Sequence, residues 1–282
     1  MSIVQSYWLY AYSPIHVGAG QGTGFVDLPV VREKVTGWPY IPGTSVKGVL
    51  RDEWERLQLG DVHRVFGTQD RAGLATFTDA RLVCLPVASL FGTYAYVTCP
   101  LILQRLSRDM ALAGFDLPDW PRSVDVSQAR VAEGSKLGFQ FQNADPSLYL
   151  LEFCLKADMC ELTTSVARKL AEIVFEEEAW RQAFVERFVV VNDQMFQLFS
   201  EQGTQVDAHI RMGDHGTVAN GALWYEESLP PESLLAGLVA LDDPTEDVLS
   251  NFTGRRLMQI GGNATTGCGQ SQLIFGPRKA VN

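Results

Sequence analysis

A glycine-rich segment near the start of the chain limits its possible folds most strongly. Residues 18–24 read GAGQGTG, with glycine at every second position, and such a segment is too flexible for a helix or a strand. Strand-like sequence flanks it: residues 3–17 alternate apolar and aromatic positions, and residues 26–31 form an extended run that Pro29 interrupts. The pattern predicts a loop held between two extended segments, where glycine lets backbone N–H groups approach a ligand closely.

The next segment predicts a helix that carries two cations near its start. Thr44 or Ser45 is a good N-cap, and apolar residues recur at helical spacing as far as about Leu57. Lys47 and Arg51 are four residues apart, so they lie on one side of that helix beside its positive N-terminal end. This arrangement predicts a phosphate site. The alternative is a solvated helix face on which the arginine pairs with a glutamate one turn later.

The remaining chain interleaves strands and helices without the regular βαβ rhythm of a doubly wound fold. Strand patterns occur at 148–155, 188–191 and 271–275, and an amphipathic pattern predicts a helix from residue 165 to about 188. Two alternating runs flank Gly213-Asp-His-Gly216, which predicts a hairpin. These features favour an α+β fold with a mainly antiparallel sheet.

The charge of the chain bears on its partners. A net charge of −10 argues against a nucleic acid partner, because phosphate binding needs local cations. The distribution weakens this objection: residues 226–250 contain seven acids and no lysine or arginine, whereas residues 31–51 contain four cations and one acid. Without the acidic segment the net charge would be −3. The sequence therefore allows a surface with one basic face and one acidic face.

Asp27 is the acid best placed to act on a ligand at the glycine loop, because apolar residues flank it in an extended segment. Such a carboxylate could accept a proton from the 2′-hydroxyl of RNA as that hydroxyl attacks the adjacent phosphate, or could position a metal ion. The local sequence alone favours a turn or cap aspartate, since isolated acids are common on surfaces. His16 could act as an acid or base. The position is also typical of a strand histidine whose hydrogen bonds are made within the protein, or of a residue that contacts RNA.

Cofactor, metal and membrane motifs do not occur in the sequence. The glycines lack the GxGxxG register and the following helix of dinucleotide-binding folds, and no GxxxxGK[ST] loop occurs. The five cysteines are scattered without the spacing of zinc ligands, which indicates buried thiols. The sequence has no run of about 18 apolar residues and no secretory signal pattern, so we expect a cytoplasmic protein with no membrane partner.

Motifs in order along nearly the whole chain resemble the RAMP superfamily of CRISPR systems, most closely the backbone subunit of type III-B (Cmr) effector complexes. The amino-terminal signature is HVGAGQGTGFVDLPVVREKVTGWPYIPGTSVKGVLRD. The later matching segments are TFTDARLVCLPVASLFGTYAYVTCPLILQRLSRD, NGALWYEESLP and the terminal IGGNATTGCG.

The resemblance implies an α+β fold with a modified ferredoxin-like (RRM-like) palm, a mainly antiparallel sheet and inserted helical elements. It also implies a protruding β-hairpin thumb at about residues 203–222, within a single domain over residues 1–282. Copies would stack as a helical filament along the guide RNA (crRNA), together with other Cmr subunits. Thumbs would interrupt the guide–target duplex at regular intervals, and target RNA would be cleaved there with a divalent metal ion, Mg²⁺ or Mn²⁺, whose ligands stay unknown.

The resemblance also assigns candidate roles to residues. It makes Asp27, in VDLP, the essential acid, with His16 as a further catalytic candidate. It adds the pair Glu226-Glu227, of which Glu227 is the catalytic candidate, although which of the two faces RNA is open. The candidates for RNA binding are Lys47 and Arg51, for the guide backbone, and Gly18, Gly20, Ser45, Gly261, Gly262, Thr266 and Gly267. Cys268 stands where many relatives carry a cation, so we expect the terminal loop to hold phosphate through backbone N–H groups only.

Two other functions stay open at this point. The first is a non-catalytic RNA-binding scaffold, with cleavage supplied by another subunit. The intact VDLP motif disfavours it, because a scaffold could lose the acid without penalty. The second is the equivalent backbone subunit of a type III-A complex, which neighbouring genes would distinguish.

Overall fold

A computed structural model of the chain describes residues 2–22, 25–120, 123–140, 145–212 and 218–281, with the side chains of 211, 212 and 218–222 left out. The strands in these residues are β1 (Ser2–Ala11), β2 (Tyr40–Ile41), β3 (Ala75–Phe77), β4 (Ala80–Ala88), β5 (Tyr94–Thr98), β6 (Gln128–Val131), β7 (Gly138–Phe139), β8 (Ser147–Leu150), β9 (Phe153–Met159), β10 (Phe188–Val191), β11 (Gln205–Met212), β12 (Val218–Ser228), β13 (Leu234–Asp242), β14 (Arg255–Gln259) and β15 (Gln270–Val281). The helices are α1 (Gly43–Arg56), α2 (Val62–Phe66), α3 (Pro100–Ala111), α4 (Glu161–Val174), α5 (Glu178–Arg187), α6 (Asp193–Gln202) and α7 (Glu246–Ser250), with a 3₁₀ turn at Ala264–Thr266.

Most of the described strands belong to one large sheet. Its order is β14-β15-β1-β13-β4-β5-β10-β6-β9-β8-β7, with β2 beside β4 and β3 beside β13, while β11 and β12 form a separate hairpin. The pairs β5–β10 and β6–β9 are parallel, and the other strand pairs are antiparallel. The predicted α+β class with a mainly antiparallel sheet is therefore confirmed.

Apolar side chains fill both faces of the central strands. In β1, Tyr7 and Leu9 pack into one cluster and Trp8 and Tyr10 into the other, and all four are buried. Helices α1, α2 and α6 cover the first face, and α3, α4 and α5 cover the second. A sheet covered on both faces explains why these strands carry apolar residues at successive positions. No helix in the described ranges is both long and apolar enough to cross a membrane.

The predicted cation-bearing helix exists as α1, but the predicted start was wrong. The helix begins at Gly43, before Thr44 and Ser45, and its N-cap residue Pro42 has no side chain able to cap it. The Gly43 N–H donates instead to Asp79 Oδ1 at 2.9 Å. The cap therefore comes from the connection between β3 and β4, which local sequence around the helix does not reveal.

Two other element predictions were also wrong in detail. The helix predicted over 165–188 is divided into α4 and α5, because the chain is extended at Phe175 (φ −120°, ψ 138°). The ring centroids of Phe175 and Phe184 are 5.8 Å apart. Tertiary packing of Phe175 therefore overrides the helical pattern of the sequence. The strand predicted over 148–155 is the β8–β9 hairpin, which turns at Leu151 with φ 50°.

An ion-pair network holds the segment between the glycine loop and α1. The Glu33 carboxylate accepts hydrogen bonds from Arg105 at 2.6 and 2.9 Å and from the Thr36 hydroxyl at 2.6 Å. Arg81 Nε lies 3.3 Å from the same carboxylate. Burial acts to raise the pKa of Glu33, but the hydrogen bonds from Arg105 and Thr36 outweigh it, and the pKa is lowered. The network fixes this segment against α3.

Candidate functional site

One edge of β12 brings together the segments that carry the candidate residues. β12 pairs with β11 along one edge, and its other edge contacts Leu28 through a single bridge at Glu226. Leu229, the residue after β12, forms a further bridge with Ile15. The N–H groups of residues 27 and 28 both donate to the Tyr225 carbonyl at 3.1 Å. The segments before and after the glycine loop therefore meet at the C-terminal end of β12.

Asp27 projects from this edge as an exposed side chain. Its Oδ2 accepts a hydrogen bond from the Tyr225 N–H at 2.7 Å. Its backbone carbonyl accepts another from the Gly22 N–H at 2.8 Å, which ties the glycine loop to the acid. The carboxylate is thus oriented by the backbone of β12 and remains accessible to a ligand.

His16 lies further along the same edge. Its Nδ1 is 2.6 Å from the Glu227 carbonyl oxygen, and because a carbonyl only accepts, Nδ1 carries the proton. Nε2 of the neutral ring is then left as an acceptor. A Cβ added at Gly18 would lie 2.8 Å from Nε2, so glycine there leaves this nitrogen uncovered. Tyr225 and Glu227, which hold Asp27 and His16, are two residues apart, or about 7 Å along a strand.

The two glutamates of the acidic pair point to opposite faces of β12, as neighbouring strand residues must. The buried Glu227 accepts from the Val30 N–H at 3.0 Å and the Thr204 hydroxyl at 2.8 Å, and it pairs with the Arg32 guanidinium. Both of its oxygens are therefore engaged within the protein. Arg32, one of the cations expected on a basic face, is committed to this ion pair.

Glu226, also buried, lies on the face that carries His16. Its Oε1 is 3.6 Å from His16 Nδ1 and accepts a hydrogen bond from Asn263 Nδ2. The Gly262 N–H donates to the His16 carbonyl at 2.9 Å. The C-terminal glycine loop is therefore held beside His16 by both its backbone and Asn263.

The exposed C-terminal loop makes its own internal hydrogen bonds. Gly261 has φ +86°, and a Cβ there would lie 2.1 Å from the His16 carbonyl oxygen, so this position requires glycine. The N–H groups of Thr266 and Gly267 donate to the carbonyls of residues 263 and 264 at 3.0 and 3.2 Å, and the Cys268 N–H donates to the first of these carbonyls. Those three amides are engaged within the loop in this conformation.

The two helix cations form a second group, whose partners lie in residues 55–75. Lys47 Nζ donates to the Ala75 carbonyl at 3.0 Å, and burial first and then the neighbouring Arg51 lower the pKa of Lys47. Arg51 lies 3.3 Å from Glu55, which is the ion pair of the solvated-face alternative. The Asp79 carboxylate already meets the start of α1, where Ser45 is half-buried, so a phosphate there would face a negative charge.

An aromatic pair beside Asp27 was not predicted. The Phe25 ring stacks on Tyr225 with centroids 4.9 Å apart and planes 29° apart, and Phe25 is 78% exposed. An aromatic residue that follows a glycine-rich loop has little structure to pack into, which is the signal available in the sequence. Gly20, also a predicted RNA contact, is exposed with φ +98°.

The side chains near Asp27 that could act as metal ligands limit how a metal ion could bind. Over the residues that the structure describes, no three His, Cys, Asp or Glu side chains are placed to hold one. A single exposed carboxylate fits Mg²⁺, which takes one or two protein carboxylates and completes its shell with substrate phosphates and water. The residues present therefore fit an ion shared between Asp27 and a phosphate.

Comparisons with known proteins show the family to which the chain belongs. The RAMP superfamily profile matches residues 8–271. The CRISPR system Cmr endoribonuclease Cmr4 of Pyrococcus furiosus is 34% identical over 93% of this chain and 92% of its own length. The crystal structure of oligomeric Cmr4 from Pyrococcus furiosus superposes over 100% of both chains, with a TM-score of 0.75 and 27% identity. A type III-B Cmr-beta cryo-EM structure bound to cognate target RNA shares the fold over 96% of both chains (TM-score 0.72, 19% identity). The resemblance in the sequence is thereby confirmed: the chain belongs to the RAMP superfamily, and its sequence groups it with Cmr4.

Proposed function

We propose that the chain is the crRNA-binding backbone subunit of a type III-B CRISPR effector complex and cleaves complementary target RNA at Asp27. The relative's name describes an endoribonuclease, and an oligomeric Cmr4 structure supports self-assembly. One observation carries the catalytic part: the exposed Asp27 carboxylate is held by the Tyr225 N–H where the glycine loop meets β12. An oriented, solvent-accessible acid at a ligand-facing loop suits proton transfer.

The family's architectural parts can be assigned to this fold as part of the proposal. The hairpin of β11 and β12, Gln205–Ser228, is the thumb, and the large sheet with its helices is the ferredoxin-like palm of a single domain. The assigned thumb begins and ends later than the predicted 203–222. Its predicted turn, Gly213-Asp-His-Gly216, lies outside the described residues.

The proposed cleavage step uses two groups at the β12 edge. The Asp27 oxygen not bonded to Tyr225 accepts the proton of the 2′-hydroxyl as that oxygen attacks the adjacent phosphorus. Protonated His16 donates from Nε2 to the departing 5′-oxygen, which leaves a 2′,3′-cyclic phosphate and a 5′-hydroxyl. The Glu226 Oε1 lies 3.6 Å from His16 Nδ1. A divalent ion shared by Asp27 and the phosphate would supply charge neutralisation.

The acidic pair has different roles in this proposal. Glu227 is a positioning residue, because its oxygens hold Val30, Thr204 and Arg32 and so fix the extended segment that carries Asp27. Glu226 is the member beside His16, with its Oε1 3.6 Å from His16 Nδ1. The two glutamates therefore have different proposed roles: one holds the segment that carries Asp27, and the other contacts His16.

RNA binding is proposed to depend on backbone contacts, since a guide-binding protein must accept any guide sequence. Lys47 and Arg51 supply cations, and Gly18, Gly20 and the 261–267 loop allow close approach of the RNA backbone. Arg51 has a side chain 35% exposed and retains further N–H donors beside its contact with Glu55.

Target cleavage by the assembled complex tests the proposal against the scaffold alternative. Purified complex with crRNA is incubated with end-labelled complementary RNA and Mg²⁺. Products at regular intervals support the nuclease, whereas RNA that binds but stays intact supports the scaffold. The type III-A alternative loses support, because the relatives found are Cmr proteins.

A further inference from the structure

On the face of the β11–β12 hairpin that carries Tyr225 and the buried Glu227, the exposed side chains that the structure describes are apolar. The strand register places Val206, Ile210 and Leu223 on the same face as Tyr225. These three side chains are 43, 51 and 53% exposed, and Phe25 extends the surface at 78%. A hairpin in water normally presents polar side chains outward, so this face indicates a binding surface.

The aromatic pair lies at one end of this surface. The Phe25 ring stacks on the Tyr225 ring with planes 29° apart and centroids 4.9 Å apart, and Phe25 is 78% exposed, so its other face is open to solvent. Such a face matches the π-surface of a nucleobase, and stacking on it does not depend on the base, because every base has such a surface.

The Phe25–Tyr225 aromatic pair and the candidate acid Asp27 are connected through Tyr225. Phe25 and Asp27 are two residues apart in the same loop, and both contact Tyr225, one by ring stacking and the other through the Tyr225 N–H at 2.7 Å. A nucleotide whose base stacks on Phe25 therefore brings its ribose and phosphate toward the Asp27 carboxylate.

We propose that Phe25, backed by Tyr225, is a nucleobase-stacking site that holds one target nucleotide beside Asp27 for cleavage. The proposal rests on the proposed endoribonuclease function and adds the binding site for the substrate base. Phe25 contacts the base and takes no part in proton transfer. Stacking on the Phe25 ring supplies the contact.

Stacking can be measured separately from cleavage. In the Asp27→Asn complex, 2-aminopurine is placed in turn at each target position across one cleavage interval, and its fluorescence is compared with that of the Asp27→Asn/Phe25→Ala complex. We expect one position per interval at which loss of the ring raises the fluorescence, with unchanged signals elsewhere. Phe25→Trp should restore the quenched signal and Phe25→Leu should not, because leucine keeps apolar volume without a π-face. A uniform response at all positions, or equal signals for alanine and tryptophan, contradicts the proposal.

Cleavage by complexes with the native Asp27 provides the second readout. Phe25→Ala should slow single-turnover cleavage by about 10-fold or more, in line with the loss of one base–aromatic stack. An abasic nucleotide at the responsive position should slow the native complex similarly and leave the Phe25→Ala complex unaffected. If the alanine variant loses assembly with other copies while stacking signals persist, the face is a protein interface and the proposal fails. If the native complex does not cut at all but position-specific quenching is seen, the proposed nuclease function fails and the stacking site stands.

Discussion

Replacement of Glu227 by glutamine tests whether this acid is structural. Its Oε2 accepts from the Val30 N–H at 3.0 Å, and its Oε1 accepts from the Thr204 hydroxyl at 2.8 Å and from Arg32. A glutamine has one acceptor oxygen, so its NH₂ must face either Val30 or Arg32, and one buried donor loses its partner. An unsatisfied buried donor costs about 1–3 kcal/mol. For a chain of this size that lowers Tm by about 2–6 °C, at about 2 °C per kcal/mol.

The assay is thermal unfolding of the chain, combined with target cleavage by the assembled complex at a temperature where both proteins are folded. Glu178→Gln is the matched control, because Glu178 is 84% exposed and lies 3.6 Å from Arg181, a surface pair that contributes little. We expect a lower Tm for Glu227→Gln only, with cleavage per folded complex within a few-fold of the native rate. An unchanged Tm together with a cleavage loss of about 100-fold, the size typical of a lost general acid or base, would refute this reasoning.

Three further predictions concern RNA affinity, the C-terminal loop and acid stability. Replacing Lys47 and Arg51 by alanine should weaken RNA binding and reduce the slope of log K against log salt by about 1.4, measured by titration at several salt concentrations. Gly261→Ala should lower Tm more than Gly267→Ala, since an added Cβ meets a carbonyl oxygen at 2.1 Å in the first and open space in the second. The stability that Glu33 contributes should be complete above its unfolded pKa of 4.5 and lost as pH falls through its lowered folded pKa, so Glu33→Gln should flatten the Tm–pH curve in that range.

Local sequence patterns predicted the helices and strands whose structure depends mainly on their own residues. The β-branched run at 188–191 is β10, and the strand pattern at 271–275 lies within β15. The family resemblance then made Asp27 the catalytic candidate, although the local sequence alone favoured a turn or cap aspartate.

Long-range contacts produced what the sequence could not predict. The cap of α1 comes from Asp79, 36 residues away, and helix α4 ends where Phe175 packs into the core. The acidic pair looked like one functional feature, but strand alternation sends Glu226 and Glu227 to opposite faces with different partners. Only the bridges along β12 showed which segments meet at the site.

The central claim is that the Asp27 carboxylate cleaves target RNA, and single-turnover cleavage by the Asp27→Asn complex tests it most directly. Asparagine keeps an oxygen for the Tyr225 N–H, so the loop, the assembly and RNA affinity should persist while the ability to accept a proton is lost. Affinity for target RNA is measured on the same samples. We expect cleavage to fall by at least about 100-fold with binding within a few-fold of the native complex. Cleavage at the native rate by a fully assembled Asp27→Asn complex would contradict the account.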